Sequence, residues 1–332
     1  MRSRAVLVVA AVGIATVAVN VMGVRTISPG PVVTTRVSNP AASSTPTPTT
    51  TPTMSPAPLS PAPPYPVEQA TFNLVDPSRD TPARGDVPAH AGRTLLIVVR
   101  RPTGLPGPLP LVVFGHGWNV NPTVYEPLLD AWAAAGFLVA APTFPDSANT
   151  LPGSPVSNYP EQARDISFVI TSLLGGGAGP VDPTRIAVAG HSDGGTDVAL
   201  LALHPSYADR RVRAYLSLSG EIPSGMPGPW DSPTSGALLV AVGTRDQYGL
   251  LPRSRQVFEA AKITSKVLLT VAGGDHMGIY TGSSLQALAV RRETVRFLDV
   301  ALQARAATSA NLTSALDPAD DPSIQATVAP PG

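Results

Sequence analysis

The stretch Arg185-Ile186-Ala187-Val188-Ala189-Gly190-His191-Ser192-Asp193-Gly194-Gly195 runs from a short apolar segment into glycines that bracket a serine. The apolar part reads as a buried strand, and residues 194–203 carry a helical pattern, so Ser192 falls on a sharp strand-to-helix turn. Such a turn needs glycine on both sides, where a Cβ would clash, and it exposes the serine hydroxyl at the edge of a sheet. A helix that begins directly after the serine also turns its unpaired N–H groups and the positive end of its dipole toward any negative charge that develops there.

A serine hydroxyl is a weak nucleophile at neutral pH and requires a base, normally a histidine oriented by a carboxylate. The chain has five histidines. His90 precedes the core strands, His116 and His191 flank glycines inside loops, and His204 follows a helix. His276, in Gly273-Gly274-Asp275-His276-Met277-Gly278, follows the last apolar strand segment and is the candidate base. Asp246, in Gly243-Thr244-Arg245-Asp246-Gln247, follows the strand at 238–242 and is the candidate acid, with Glu221 as the alternative. Asp275 is adjacent on the chain to the histidine and cannot easily reach back to its ring. The resulting chain order is serine, aspartate, histidine.

Gly115-His116-Gly117-Trp118 follows the buried strand at 111–114 and is placed to supply a second backbone N–H to an oxyanion. The expected donors are the amides of Trp118 and Asp193, with Gly117 as the alternative to Trp118. Together these motifs resemble the esterase-type α/β-hydrolases, in particular the dienelactone hydrolase, chlorophyllase and platelet-activating-factor acetylhydrolase-like group, with the cutinase-like polyesterases nearby. The resemblance covers residues 67–306. It implies an α/β-hydrolase fold and ester hydrolysis through an acyl-enzyme, without cofactor or metal. Dienelactone hydrolases proper use a cysteine nucleophile and cutinase-like enzymes commonly carry a disulfide; this chain has no cysteine at all.

Outward from the serine, apolar runs alternate with helical periodicity, the pattern of a mostly parallel sheet flanked by helices. Strands are expected at 111–114, 137–141, 185–189, 215–218, 238–242 and 267–271. Helices are expected after Pro122, where Tyr125, Leu128, Leu129 and Trp132 fall at i, i+3, i+4 and i+7, around Ala163 to Leu173, at 194–203 and at 285–306. Residues 221–235 are short and rich in proline and glycine, which leaves no room for a large lid. Trp118, Trp230 and Met277 are candidates for the wall of an acyl pocket, or for core packing.

The N-terminus reads Met1-Arg2-Ser3-Arg4, then an uncharged segment at 5–24. A run of roughly 20 apolar residues can span a bilayer, and flanking arginines favour keeping its start in the cytoplasm. Residues 1–25 therefore read as a transmembrane signal-anchor, or as a signal peptide if cleaved. Residues 26–66 are rich in Pro, Thr and Ser and read as a disordered linker, 67–306 as the catalytic domain, and 307–332, with Asp317-Pro318 and Asp321-Pro322, as a disordered tail. The expected location of the catalytic domain is extracytoplasmic, at the cell membrane or secreted. With 23 basic and 23 acidic residues and no basic patch, nucleic acid is not an expected partner. A small-molecule or lipid ester and a monomeric state are expected. An acyltransferase with the same triad, a peptidase and a noncatalytic binding module are the rival functions.

Overall fold

The computed structural model describes residues 64–231, 235–302, 308–316 and 322–329. Residues 1–63 lie outside them, and with them the anchor segment and nearly all of the linker. Among the described residues no helix is long and apolar enough to cross a membrane. The elements in chain order are β1 (Val67–Asp76), β2 (Arg93–Pro102), β3 (Leu109–Gly115), α1 (Glu126–Ala134), β4 (Leu138–Thr143), α2 (Tyr159–Leu174), β5 (Val181–His191), α3 (Asp193–Leu203), β6 (Ala214–Leu218), β7 (Ala237–Gly243), α4 (Leu250–Ala260), β8 (Ser265–Val271), α5 (Gly278–Thr281), α6 (Leu285–Leu302), α7 (Ser309–Ala315) and β9 (Ile324–Val328).

The strands form one sheet in the order β1-β2-β4-β3-β5-β6-β7-β8-β9. Neighbours from β4 through β8 are parallel, while β1, β2 and β9 supply antiparallel edges. The central strands are apolar without interruption because both faces are covered. Alternate residues serve opposite layers: Leu111 and Val113 of β3 join the core with α2, α3 and α4, whereas Val112 and Phe114 join the core with α1 and α6. From β3 the chain goes to β4 on one side, and from β5 onward it builds the other side. The carboxyl ends of β3 and β5 therefore flank a topological switch point, where open α/β sheets place their ligands.

The C-terminal segment differs from the expected disordered tail. α7 buries Leu312, and β9 pairs antiparallel with β8 from Ile324↔Val271 to Val328↔Val267. Of the residue pairs that suggest disorder, Asp317-Pro318 and Asp321-Pro322 precede β9 and Pro330-Pro331 follow it. Within β9 Ile324, Ala326 and Val328 alternate onto the core while Gln325 and Thr327 are exposed. Five residues with period two are enough to complete an edge strand, although too few to stand out in a polar sequence.

Candidate active site

Ser192 has φ 57° and ψ −117°, a conformation that costs a non-glycine residue free energy and persists only where its surroundings enforce it. The enforcement is steric. A Cβ on Gly190 would lie 2.1 Å from the Gly194 carbonyl oxygen, and one on Gly194 would lie 2.1 Å from that of Gly115. The glycines thus let β5, α3 and the end of β3 close around the serine. Ser192 N–H donates to Leu218 O at 2.9 Å, which pins the turn to β6. Asp193 opens α3, so its N–H has no acceptor within the helix.

Asp246, in the turn after β7, approaches His276 Nδ1 to 2.7 Å through Oδ2, and the two side chains are 1% and 5% exposed. In the neutral ring, then, Nδ1 carries the proton that is donated to Asp246 and the lone pair is on Nε2. Burial opposes ionisation of Asp246, but the hydrogen bond and charge attraction of His276 and the amide of Tyr248 hold its carboxyl below the usual range. The alternative acids have other partners. Glu221 pairs with Arg253 at 2.8 Å, and Asp275 accepts from the amides of Met277 and Gly278.

The loop after β3 is fixed one peptide at a time. Phe144 N–H donates to His116 Nε2 at 2.9 Å, so the proton resides on Nδ1, which donates to Gly117 O at 2.8 Å. Burial holds the imidazole of His116 down at about 4, so it is neutral. Gly117 N–H donates to the Tyr125 hydroxyl at 3.2 Å, and Asn119 N–H to Ser147 O at 2.8 Å. Among the described residues no peptide bond is cis, so the Trp118 N–H points away from the Gly117 carbonyl that His116 holds. Among the described residues it has no acceptor. Of the two candidate donors, then, Gly117 is occupied and Trp118 is free.

These residues meet in a cavity of about 560 Å³ whose walls include Trp118, Ser192, Asp193, His276 and Met277. Trp118 is 49% exposed and its indole N–H donates to Pro155 O at 3.2 Å; Tyr248, 65% exposed, stands edge-on to the His276 ring. Trp230 is not part of this wall. It packs edge-on against His204, 5.1 Å between ring centroids.

Asp193, in the cavity wall, is tied to further polar and charged groups. Ser157 and Tyr159 donate to the Asp193 carboxylate at 2.5 and 3.3 Å. The segment carrying them is anchored by Arg93, fully buried, which pairs with Asp165 at 2.6 Å and Asp146 at 2.8 Å. Arg79 joins Asp165 at 2.8 Å, and Arg84 donates to the carbonyls of Pro145, Ala148 and Ser154. Burial alone would drive Arg93 toward neutrality; its two carboxylates outweigh that and keep it charged. Asp197, one turn along α3 from Asp193, is fully buried with neither oxygen hydrogen-bonded, and burial raises its pKa well above the normal range. No pattern in the sequence points to this charged cluster, because Arg79, Arg93, Asp146 and Asp165 come from separate parts of the chain.

The sequence profile of the family described as Chlorophyllase matches residues 77–220, which hold the serine turn and the loop after β3. The matched family and the geometry of the site are both similar to those of α/β-hydrolase-type serine esterases. A solved ferulic acid esterase from Streptomyces cinnamoneus shares this fold, with a TM-score of 0.55 at 22% identity over 74% of this chain and 93% of that one. No curated protein matches the chain in sequence. The profile match ends before Asp246 and His276, whose assignment rests on their geometry.

Proposed function

We propose that the protein cleaves carboxylic esters through an acyl-enzyme on Ser192, with His276 as general base and Asp246 as the group that orients it. The observation that carries this reading is the 2.7 Å Asp246–His276 pair opening onto the same cavity as a serine held on a strained turn. His276 Nε2 takes the serine proton as Ser192 Oγ attacks the ester carbonyl. The tetrahedral oxyanion is met by the N–H groups of Trp118 and Asp193, and His276 returns the proton to the leaving alcohol. Water, activated by the same histidine, then releases the acid and regenerates the serine. A cavity of about 560 Å³ suits a small ester. The exposed rings of Trp118 and Tyr248 suit a planar or aromatic portion of it.

The N-terminal sequence supports an extracytoplasmic site of action, with residues 5–24 as anchor and the Pro/Thr/Ser-rich segment as spacer. A fluorophosphonate probe tests the chemistry: one equivalent should attach to the Ser192 peptide and abolish turnover of p-nitrophenyl esters, and attachment elsewhere with activity retained would refute it. For location, cell fractionation with N-terminal sequencing should find the enzyme in the membrane fraction with Met1 intact, or outside the cell with a new N-terminus. A soluble cytoplasmic form would overturn it.

A further inference from the structure

By its spacing Tyr125 is one of four apolar positions on a helix, yet its hydroxyl stands between two parts of the site. It lies 3.2 Å from Gly117 N and 2.8 Å from His191 Nδ1, and His191 Nε2 lies 2.8 Å from the backbone carbonyl oxygen of His276. A carbonyl can only accept, so His191 Nε2 bears the ring proton and Nδ1 is a lone pair. Nδ1 must then receive the Tyr125 hydroxyl proton, while the tyrosine oxygen accepts from Gly117 N–H. Each bond from Gly117 through Tyr125 and His191 to the His276 carbonyl is fixed in direction. Tyr125 and His191 are fully buried, so no water competes for these bonds.

We propose that Tyr125 and His191 are positioning residues for acyl transfer, joining the loop that presents the Trp118 N–H, the turn that presents Ser192 and the loop that presents His276 into one unit. The proposal rests on the acyl-enzyme reading above. Its physical basis is that an oxyanion donor acts only when held close to its productive geometry, and peptide groups on a loop need external anchors for that. Tyr125 anchors the Gly117 amide, one peptide before the Trp118 N–H. His191, next to the nucleophile, anchors the backbone of the base. Burial and the nearby His276 keep the His191 imidazole neutral, down at about 3, and burial keeps the Tyr125 hydroxyl protonated, so the chain keeps its polarity throughout the neutral range.

Tyr125→Phe removes only the hydroxyl, since the ring remains packed against Phe114 at 4.8 Å. It should lower kcat about 10- to 100-fold, less than the roughly 10²- to 10³-fold typical for loss of an oxyanion donor itself, with KM changed less than about twofold. Affinity for a phenylboronic acid, whose adduct with Ser192 mimics the tetrahedral intermediate, should fall by the same factor as kcat. A hydroxyl that served stability alone would lower Tm and leave kcat per folded enzyme and boronate affinity unchanged, and that result overturns the proposal. His191→Asn keeps an acceptor for Tyr125 and loses the bond to the His276 carbonyl; it should show the same split, and it carries the test if Tyr125→Phe does not fold. Losses in the double variant should be smaller than the product of the single losses, because the two residues share one chain, and fully multiplicative losses would count against it. Hydrolysis retained by Ser192→Ala would sink the acyl-enzyme reading itself, whereas an essential Ser192 with both positioning variants silent sinks only this proposal.

Discussion

Two buried polar assemblies lie within this fold, and they are built from opposite materials. The one around the loop after β3 consists of His116, Tyr125 and His191, all neutral, each bond fixed in direction by a backbone carbonyl or amide at its end. The one under the segment after β4 consists of Arg93, Arg79, Asp146 and Asp165, held by charge. Neutral hydrogen bonds are individually modest and here each aims a particular backbone group; charge-assisted pairs, such as the two-pronged Arg93–Asp165 contact, are stronger and expensive to leave incomplete. The first suits orientation of reacting groups and the second suits fastening a length of chain.

Variants can break that division of labour. The largest effect belongs to the reacting groups themselves: Ser192→Ala and His276→Ala should each reduce turnover on the order of 10⁶-fold, measured by steady-state ester hydrolysis, with Tm little changed. A variant keeping half the activity would remove that residue from the mechanism. Asp246→Asn should cost about 10⁴-fold through loss of the orienting carboxylate, and if Glu221→Gln is the damaging change instead, the 2.7 Å pair is not the working one.

In the charged assembly, Asp165→Ala leaves buried guanidinium groups short of a partner and should destabilise the fold by about 3–5 kcal/mol in urea titration, as removal of one member of a buried pair does. Its kcat per folded molecule should stay close to the parent value. A loss of kcat comparable with that of Tyr125→Phe would show that the charged assembly also aims catalytic groups, through Ser157 and Tyr159 on Asp193, and the division would fail.

The smallest effect concerns Asp197, which belongs to neither assembly. Its pKa is raised in the folded state, so above about pH 4 the native protein holds a proton that the unfolded chain has released, and stability falls as pH rises through that region. Asp197→Asn removes the titration. Its Tm should exceed the parent's at pH 7, with the advantage shrinking as pH approaches 4. An advantage independent of pH would mean that packing, and not ionisation, sets the cost.

The serine turn was legible in the sequence because its glycines are a steric necessity: nothing larger fits between β5, α3 and β3. Asp246 and His276 could be picked out as candidates because each follows an apolar strand in a fixed order, and the parallel strands were legible because both-sided burial makes them uniformly apolar. Elements that mix charge into the core were not. Arg93 and Arg100 are buried at either side of the apolar run 95–99 of β2, where charge reads as exposure, and the Tyr125 hydroxyl was hidden by an apolar spacing, since the ring does pack in the core. Sequence periodicity reports which face a residue turns inward. It does not report which polar atom that residue carries there.

The strand β9 bears on how the molecule is made. Its partner β8 is translated well before it, with α5, α6 and α7 in between, and until Ile324–Val328 leave the ribosome the outer edge of β8 stands unpaired beside a finished run of parallel strands. Exposed edges recruit strands from other chains. A nascent chain stalled within that interval therefore presents the edge of β8, and the arrival of β9 replaces that edge with a short strand whose Gln325 and Thr327 are exposed.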